Sequence, residues 1–338
     1  MKIAVNTWIL RNKNLDGIGY LTVNTISNLI KNNPTVEFQI LCDKGYSEDY
    51  FNYSNVTHHK IFPALRHPVL YVFFMEVVLG LFLRKHKPDL FISSDGYLCL
   101  NASTKQLPII CDINFEHNPK DLPLRNRVYF RFFYKRFAKK GQRIATISEY
   151  SKQDISSYYN IDINKIDNIS CGIDNKFTVL SDEEKLAAKS KWSNGKEYFF
   201  FLGSMHPRKN IKRLIDAFNL FKKQTNANMK LLLGGSILWQ ASDFKEAYEN
   251  SNFKDDIVFL GRLNDADLKQ VLGAAYCLAF APIFEGFGLP IVEAFEAGVP
   301  VICSNVTSMP EVAGNATLLF NPFEVQEIAD AMQKIYED

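Results

Sequence analysis

Two glutamates eight residues apart flank a short loop that leads into a predicted helix. The segment from Glu285 to Glu293 reads Glu-Gly-Phe-Gly-Leu-Pro-Ile-Val-Glu and follows an apolar run that ends at Ala281. Pro290 suits a first helical turn, whose N–H groups lack partners within the helix and can bind phosphate oxygens. Ionised carboxylates only accept hydrogen bonds, which suits both glutamates to sugar or ribose hydroxyls. Stabilisation of acidic side chains by the helix dipole is the alternative explanation.

Two adjacent cations stand at another strand-to-helix turn. Arg208 and Lys209 follow Gly203 in the stretch Gly-Ser-Met-His-Pro-Arg-Lys-Asn, between an apolar run and a helical pattern. A guanidinium donates a fork of hydrogen bonds and an ammonium is a compact charge, so together they can neutralise a diphosphate. Ordinary solvated surface cations are the alternative.

Gly17 and Gly19 lie between the first predicted strand and the first predicted helix. Two residues without a Cβ at such a turn let the backbone approach an anion, although an ordinary strand-to-helix turn explains them equally well. The dinucleotide fingerprint G-x-G-x-x-G is incomplete, because Thr22 stands three residues after Gly19. A nicotinamide-dependent dehydrogenase is therefore disfavoured.

Repeated strand and helix units must position these motifs. From Lys196 onward, short apolar runs alternate with helical patterns, which is typical of a parallel sheet with crossover helices. The predicted strands cover residues 198–202, 230–233, 257–260, 277–281, 300–303 and 316–320. The predicted helices cover residues 211–224, 242–250, 265–275, 290–297 and 325–336.

The first half of the chain is also α/β, with a less regular rhythm. Strands are predicted over residues 2–7, 37–42, 89–93, 108–112, 143–147 and 167–171. The apolar run 69–83 would span about 22 Å as a helix, short of the roughly 30 Å hydrocarbon core of a membrane. Glu76 also lies in its middle. We predict a buried helix here, with partial membrane contact as the alternative.

Length and composition indicate two folded domains. The 338 residues exceed what one hydrophobic core usually holds, and 47% hydrophobic with 22% charged residues is typical of globular chains. A polar stretch without strand signals separates the two halves. We predict a Rossmann-like domain over 1–174, a linker over 175–196 and a second Rossmann-like domain over 197–338. Two consecutive doubly wound domains are expected to face each other across a ligand-binding cleft.

Charge and cysteine usage exclude several classes of protein. The 39 Lys and Arg residues nearly cancel the 37 Asp and Glu residues, so no positive field favours nucleic acid. The six cysteines form no C-x-x-C pair, which suggests reduced thiols and a cytoplasmic protein. Residues 1–10 lack the features of a signal peptide. A two-lobed solute-binding protein, which would need export, is disfavoured for that reason.

The segments that carry these motifs resemble one known family. Residues 261–322, with Glu285, Glu293 and the sequence Ser-Met-Pro-Glu-Val from Ser308, resemble the donor domain of retaining nucleotide-sugar glycosyltransferases of family 4. Residues 203–218 are similar to the phosphate-binding segment of that family, and residues 147–154 and 171–174 to the exit of its acceptor domain. The resemblance covers almost the whole chain and implies an α/β GT-B fold of two doubly wound domains.

The resemblance implies a role for each motif. Glu285 would bind the hexose of the donor and Glu293 its ribose, while Arg208 and Lys209 bind the diphosphate onto which Gly19 lets the acceptor domain close. The further donor-binding residues that it implies are Gly17, Gly203, Arg262, Gly286, Phe287, Gly288 and Leu289. The catalytic residues that it implies are Asp112, Cys111, Arg208, Lys209 and Glu285. No metal or other cofactor is expected, because cations and helix termini can stabilise the leaving group.

The implied activity is the retaining transfer of a hexose, with mannose as one candidate, from a GDP- or UDP-linked donor. The acceptor would be a glycan or a lipid-linked molecule in lipopolysaccharide or capsule synthesis. Cys111 stands where the family most often has histidine, and a thiol lacks the strong acceptor and donor pair of imidazole. A catalytically impaired nucleotide-sugar-binding protein or scaffold is therefore the alternative. His117 is a second candidate for the missing imidazole.

Residues 128–140 interleave aromatic and basic side chains. As a helix this segment could lie on an anionic membrane surface, or it could bury Phe132, Phe133 and Phe137. Because the family often glycosylates lipid-linked acceptors, contact with the inner face of the cell membrane is expected as a minor possibility. Relatives usually continue beyond the helix that ends near Tyr336, whereas this sequence ends at Asp338.

Overall fold

The computed structural model describes residues 1–10, 15–42, 47–61, 68–173, 176–236 and 242–338. The chain forms two compact units, Met1–Gly172 and Ile173–Asp338. Each contains a parallel sheet with helical crossovers, so the predicted doubly wound α/β architecture is confirmed for both. Asp174 and Asn175, at the predicted start of the linker, lie outside the described residues.

The first unit has a five-stranded sheet in the order β3-β2-β1-β4-β5 and a separate pair, β6 and β7. Its strands are β1 (Lys2–Asn6), β2 (Glu37–Cys42), β3 (Val56–Lys60), β4 (Leu90–Ser93), β5 (Lys105–Pro108), β6 (Ile144–Thr146) and β7 (Ile166–Asn168). Its helices are α1 (Gly17–Lys31), α2 (Ser47–Tyr50), α3 (Pro68–Phe73), α4 (Gly80–His86), α5 (Asn114–His117), α6 (Leu124–Lys140) and α7 (Glu149–Tyr159). A π-helical segment, Phe74–Leu79, joins α3 to α4.

The second unit has a six-stranded sheet in the order β10-β9-β8-β11-β12-β13. Its strands are β8 (Glu197–Leu202), β9 (Met229–Gly234), β10 (Ile257–Gly261), β11 (Cys277–Phe280), β12 (Val301–Ser304) and β13 (Leu318–Phe320). Its helices are α8 (Asp182–Ser193), α9 (Ile211–Thr225), α10 (Ser242–Glu249), α11 (Asp265–Gly273), α12 (Leu289–Glu296), α13 (Met309–Ala313) and α14 (Val325–Glu337).

Each large sheet has one point at which the strand order reverses. In the first unit the reversal falls between β1 and β4, and in the second it falls between β8 and β11. The crossovers on either side of such a point leave in opposite directions, which opens a crevice at the carboxyl ends of the two strands. The loops that follow β8 and β11 carry the cation pair and Glu285.

The central strand of the second sheet explains its long apolar run. Phe199, Phe200 and Phe201 are consecutive in β8, and all three are completely buried. Side chains alternate between the faces of a strand, so helices must cover both faces of this sheet. The six strands and five helices predicted in the second half are confirmed within a few residues.

The elements missing from the prediction are polar in sequence. Strand β3 reads Val-Thr-His-His-Lys and lies at the edge of its sheet, so it lacks the apolar run of a buried strand. Helix α8 occupies most of the predicted linker 175–196. It begins at Ser181, whose side chain forms a capping box with Glu184, and it buries Ala188 against the core of the second unit. The strands predicted over 108–112 and 167–171 lie a few residues earlier in the structure.

The apolar run 69–83 is helical, but only one face of it is buried. Phe74 and Leu79 lie in the core, whereas Phe73 is 49% exposed and Leu81 is 57% exposed. Glu76 accepts hydrogen bonds from the backbone N–H groups of Leu100 and Asn101 at 2.9 and 3.0 Å. The prediction of a buried helix is therefore confirmed for one face and wrong for the other.

Helix α6 also divides its aromatic side chains between core and solvent. Phe137 is 1% exposed, Phe133 packs at the edge of the core, and Phe132 is 50% exposed. The interpretation in which all three phenylalanines are buried is wrong for Phe132. Within the described part of the chain, no helix combines the length and the apolar character needed to cross a bilayer.

Candidate functional site

Two loops of the second unit are joined by backbone hydrogen bonds beside the strand-order reversal. After β8 the chain makes a 3-10 turn, Pro207–Lys209, before α9 begins. The Ile283 N–H, after β11, donates to the Arg208 carbonyl at 2.8 Å. The Arg208 guanidinium donates in turn to the Phe284 carbonyl at 2.9 Å. The cation turn and the glutamate loop therefore form one rigid assembly.

Arg208, Lys209 and Glu285 form a compact ion cluster. Arg208 Nη1 lies 2.8 Å from Glu285 Oε2, and Lys209 Nζ contacts Glu285 Oε1. The side chains are only 24%, 10% and 11% exposed, respectively. Burial by itself would raise the pKa of Glu285, but Lys209 and Arg208 hold that pKa below its ordinary value. The carboxylate is therefore ionised at neutral pH, and each of its oxygens faces one cation.

Two glycines pack closely beside this cluster. A Cβ on Gly203 would lie 3.4 Å from Lys209 Cε, and a Cβ on Gly235 would lie 1.8 Å from the Gly203 carbonyl oxygen. The second distance is far below any van der Waals contact, so only glycine fits at position 235. Gly235 is absent from the sequence prediction, although the Gly-Gly pair at the end of β9 was a readable signal.

Two hydroxyl groups, those of Thr307 and Ser308, form hydrogen bonds with the backbone of the loop that carries Glu285. The buried Ser308 Oγ donates to the carbonyls of Glu285 and Phe287 at 3.0 and 2.8 Å, and the Glu285 N–H donates to Thr307 Oγ1 at 3.3 Å. Thr307 has a φ of 54°, a strained value for a β-branched residue. The sequence around Ser308 was recognised only through its resemblance, and this clamping role is visible only in the structure.

The loop then leads directly into α12. Gly286, Phe287 and Gly288 are buried, Gly288 is the N-cap residue, and Leu289 is the first helical residue. Pro290 occupies the second helical position, as its fixed φ and missing N–H predict. The predicted donor-binding stretch is thus brought together with Glu285 at one helix N-terminus.

Glu293 lies in a different electrostatic environment from Glu285. Burial raises its pKa to about 7, Lys176 acts in the opposite direction, and Asp265 and Glu296 raise it further. Lys176 in turn lies 3.9 Å from Asp265. Arg262, the other predicted donor-binding residue, follows β10 directly and is exposed.

In the glycine turn of the first unit, the backbone N–H of Gly19 already has a hydrogen-bond partner in the cap of α1. Gly17 opens α1, and the Gly19 N–H donates to the carboxylate of the N-cap residue Asp16 at 2.9 Å. A Cβ on Gly19 would lie 3.1 Å from the side chain of Leu15. Close packing therefore accounts for Gly19, and its part in binding a diphosphate stays a prediction.

The strand-order reversal of the first unit holds a half-buried acid that sequence reasoning missed. Asp95, just beyond β4, accepts from Asn6 Nδ2 at 2.6 Å and from Ser93 Oγ at 2.9 Å. Burial raises its pKa to about 6, although these hydrogen bonds act in the opposite direction. Asn6 ends β1, so the pair joins the carboxyl ends of the two strands at the reversal.

Cys111 and Asp112 follow the strand region that ends near Ile110. Burial, reinforced by Asp112 and other acidic neighbours, raises the pKa of the Cys111 thiol, which stays neutral at physiological pH. Asp112 Oδ1 accepts the N–H of Asn114 at 2.9 Å and so caps the turn that begins α5. His117, at the end of α5, pairs through Nε2 with the carboxylate of Asp154 at 2.8 and 2.9 Å. The catalytic roles of Cys111 and Asp112, and the replacement of the missing imidazole by His117, stay predictions.

The cluster in the second unit can bind a phosphorylated ligand that also carries hydroxyl groups. The two cations offer hydrogen-bond donors to phosphate oxygens, and the adjacent helix N-terminus offers backbone N–H groups. The buried carboxylate accepts hydrogen bonds from hydroxyl groups. No other cluster of described residues combines these three features beside a strand-order reversal.

Comparisons with known proteins show which family the chain is similar to. The profile described as "Glycosyltransferase Family 4" matches residues 15–177, and the profile described as "Glycosyl transferases group 1" matches residues 182–338. The chain is 34% identical over 197 residues to O-antigen chain mannosyltransferase B of Escherichia coli, which covers 58% of this chain and 52% of the relative. It is 30% identical over 209 residues to the O-antigen chain mannosyltransferase RfbU of Salmonella typhimurium, which covers 62% and 55%. The chain thus spans about half the length of these relatives.

Solved structures show the same fold. HepE from Anabaena, solved in complex with UDP and glucose, has a TM-score of 0.77 at 17% identity, over 100% of this chain and 90% of that one. WaaG, a glycosyltransferase involved in lipopolysaccharide biosynthesis, has a TM-score of 0.76 at 14% identity, over 99% and 90%. These likenesses confirm the predicted GT-B fold.

Removing the clamp hydroxyl tests how the glutamate loop is held. Ser308→Ala deletes the hydroxyl whose single proton is shared between two buried carbonyls, so we expect it to lower the free energy of unfolding by roughly 1–3 kcal/mol in denaturant titrations. Ser304→Ala is the matched control. Ser304 is equally buried, but its hydroxyl has no hydrogen-bond partner among the described residues, so its loss should cost little or nothing. Equal losses of unfolding free energy in the two variants would contradict the role of Ser308 in holding the glutamate loop.

The raised pKa of Glu293 predicts a pH dependence of stability. Its ordinary pKa is 4.5 and its folded pKa is about 7, so the folded chain holds a proton that the unfolded chain has already released. The stabilisation is complete below pH 4.5 and is lost as the pH rises through 7. Between pH 5 and 8, Glu293→Gln should therefore gain roughly 2–3 kcal/mol over the wild type. Denaturant titrations across this range measure the gain, and the exposed Glu246→Gln is the control. If the unfolding free energies of Glu293→Gln and the wild type change with pH in parallel, the raised pKa of Glu293 is refuted.

Proposed function

The chain belongs to glycosyltransferase family 4, and on that premise we propose that it transfers a hexose from a nucleoside-diphosphate sugar. The acceptor in this proposal is a glycan or a lipid-linked molecule in the synthesis of a cell-surface polysaccharide. The observation that carries the proposal is the ion cluster of Arg208, Lys209 and Glu285 at the N-terminus of α12. The cluster offers cations, backbone donors and a carboxylate where a diphosphate and its sugar need them.

We assign the donor to the second unit by chemistry. Arg208 and Lys209 would bind the diphosphate, and Glu285 would accept hydrogen bonds from the hexose hydroxyls. Glu293 would accept from the ribose, a role that favours its ionised form. The helix N-terminus adds N–H groups and a positive dipole end to the diphosphate site. Arg262 is proposed as a further donor contact on the resemblance alone.

Mannose is the proposed hexose because both the Escherichia coli and the Salmonella typhimurium relatives are named mannosyltransferases of the O-antigen chain. Their names also support a surface polysaccharide as the product class. The nucleotide base is left open between guanine and uracil, since no described contact of this chain discriminates the two.

The proposed reaction is metal-independent and retains the anomeric configuration. An acceptor hydroxyl forms a bond to C1 of the hexose as the bond from C1 to the diphosphate oxygen breaks. The proton of that hydroxyl passes to a phosphate oxygen of the leaving nucleoside diphosphate. Arg208 and Lys209 stabilise the charge that develops on the leaving group, as a bound cation would in other enzymes. The protein then acts mainly by orientation and electrostatics.

A non-catalytic nucleotide-sugar-binding protein or scaffold is the second candidate, and the neutral thiol of Cys111 favours it. A half-buried thiol with a strongly raised pKa can neither accept nor donate a proton as a neutral imidazole does. The donor cluster of the second unit would be equally intact in both cases. The two candidates therefore differ in turnover and agree in donor binding.

We also propose that the first unit contacts a lipid surface through α3, α4 and α6. The exposed apolar residues on these helices are Leu70, Phe73, Leu81, Leu124, Val128 and Phe132. Exposed cations flank them, namely Arg84, Lys85, Arg131, Lys135, Arg136, Lys139 and Lys140. Two contributions stabilise peripheral membrane binding. Apolar side chains insert between lipid headgroups, and cationic side chains attract anionic lipids. A lipid-linked acceptor at the inner face of the cell membrane would suit this surface.

Replacing one cation tests donor binding. Lys209→Met keeps the aliphatic stem and removes the charge, so we expect it to weaken binding of the cognate nucleotide sugar. The loss should be about 10- to 100-fold, which corresponds to one charge-assisted hydrogen bond. Calorimetry with GDP-mannose, UDP-glucose and UDP-N-acetylglucosamine measures the affinities. Lys223→Met, which removes an exposed cation from α9, is the control and should bind like the wild type.

The same panel separates the two candidate functions. The absence of binding to all three nucleotide sugars by the wild type would remove both. Transfer activity, or a large gain of turnover in Cys111→His, would favour the enzyme. Donor binding without turnover in either protein would favour the scaffold.

Binding to vesicles tests the proposed membrane surface. The double variant Phe73→Ser/Phe132→Ser removes two exposed rings, so we expect its partitioning onto phosphatidylglycerol-containing vesicles to fall at least about ten-fold. Sedimentation with the vesicles measures this, and pure phosphatidylcholine vesicles report the electrostatic part. Leu186→Ser/Phe323→Ser is the control, because it removes comparably exposed apolar side chains from the second unit. Equal loss in both double variants, or no loss in either, would count against the surface.

A further inference from the structure

The cations that the donor diphosphate would use are already paired within the protein. Arg208 Nη1 lies 2.8 Å from one oxygen of Glu285, and Lys209 Nζ contacts the other oxygen. Lys209 and Glu285 are each 8% exposed as whole residues, so two cations share one carboxylate in an environment with little solvent. A diphosphate cannot engage both cations fully without disturbing this carboxylate.

We propose that Glu285 competes internally with the diphosphate for Arg208 and Lys209, and so lets the site distinguish the intact sugar donor from the nucleoside diphosphate product. This inference rests on the proposed function and concerns the same site. The hexose of an intact donor brings hydroxyl groups that donate to the displaced carboxylate. The nucleoside diphosphate alone has ribose hydroxyls, which we assign to Glu293, but no hexose hydroxyls for Glu285.

The energetics of a buried charge make this discrimination effective. A carboxylate that loses its cationic partners while buried keeps most of its desolvation cost. With the intact donor, the sugar hydroxyls replace part of the lost hydrogen bonding. With the product, the diphosphate and Glu285 place like charges beside the same two cations. Product binding is therefore weakened relative to donor binding, which favours release after transfer.

The competitor cannot simply swing out into solvent, because both sides of the cluster are tied to the backbone. Ser308 Oγ donates to the Glu285 carbonyl at 3.0 Å, and the Glu285 N–H donates to Thr307 Oγ1 at 3.3 Å. On the other side, the Arg208 guanidinium donates to the Phe284 carbonyl at 2.9 Å. The backbone of Glu285 therefore stays beside the cluster whichever ligand binds, and a displaced carboxylate must find hydrogen-bond donors close to that position.

The ionisation of Glu285 supports a charged competitor. Burial alone would raise its pKa, yet Lys209 and Arg208 hold the pKa of this carboxyl below its ordinary value. The side chain is thus negative at every pH at which the protein would work. Neutralising it by substitution should remove the competition while leaving both cations in place.

The test compares Glu285→Gln with the wild type on four probes: GDP, UDP, GDP-mannose and UDP-glucose. We expect the variant to bind the cognate nucleoside diphosphate on the order of ten-fold more tightly, the ratio that 1.4 kcal/mol produces. Its affinity for the matching nucleotide sugar should stay equal or fall. The ratio of the two dissociation constants, measured by calorimetry, is the readout.

Glu293→Gln is the matched control, because both ligands contain the ribose. It should change the affinities for product and donor by the same factor and leave their ratio unchanged. If Glu285→Gln does not fold, the same comparison is made between Lys209→Met and Lys209→Met/Glu285→Gln. The double variant removes one cation and one anion, so the net charge of the cluster is the same as in the wild type.

The outcomes separate this inference from the proposed function. If neither the wild type nor the variant binds any of the four probes, the proposed function fails and the inference fails with it. If the wild type binds a probe pair but Glu285→Gln binds the nucleoside diphosphate equally or more weakly, only the internal competition is overturned.

Discussion

A carboxylate that is nearly closed off from solvent needs cationic partners, and Glu285 has two. Arg208 and Lys209 come from the loop after β8, while Glu285 comes from the loop after β11. The ion cluster therefore joins two segments that lie more than seventy residues apart in sequence. Gly235 packs against the Gly203 carbonyl beside the cluster, and Ser308 holds the glutamate loop in place. Each of these features makes sense only because three charges share one small volume from which water is largely excluded.

The position of the cluster follows from the topology of the sheet. Strand order reverses between β8 and β11, so the crossovers that follow these strands diverge and leave a crevice at their carboxyl ends. The first unit repeats this arrangement between β1 and β4, where Asn6 and Ser93 both donate to the half-buried Asp95. Polar side chains are tolerated at these points because the diverging crossovers do not cover them. Elsewhere the same sheets bury apolar residues on both faces.

The helices of the first unit show how one segment can serve core and surface together. Phe74, Leu79 and Phe137 pack into the core, while Phe73, Leu81 and Phe132 face solvent from the same helical segments. Arg136 lies over the ring of Phe132, with its guanidinium carbon 3.6 Å from the ring centroid. Cation–π contact of this kind leaves the ring accessible while it keeps a positive charge beside it. An apolar and cationic face therefore coexists with a well-packed interior.

The sequence by itself determined the doubly wound class of both halves, the six strands of the second sheet and the turns that carry Arg208, Lys209 and Glu285. Apolar runs, helical periodicity and glycine or proline at turns are local signals, and local chemistry is sufficient to read them. Strand β3 and helix α8 were not readable in this way, because an edge strand and an exposed capped helix are polar. Only the tertiary structure decided that Glu285 pairs with both cations while Glu293 lies near Lys176 and Asp265. It also decided that Gly235 touches the Gly203 carbonyl and that His117 pairs with Asp154. These contacts join distant segments through burial and charge, and no local pattern in the chain records which buried charges will meet.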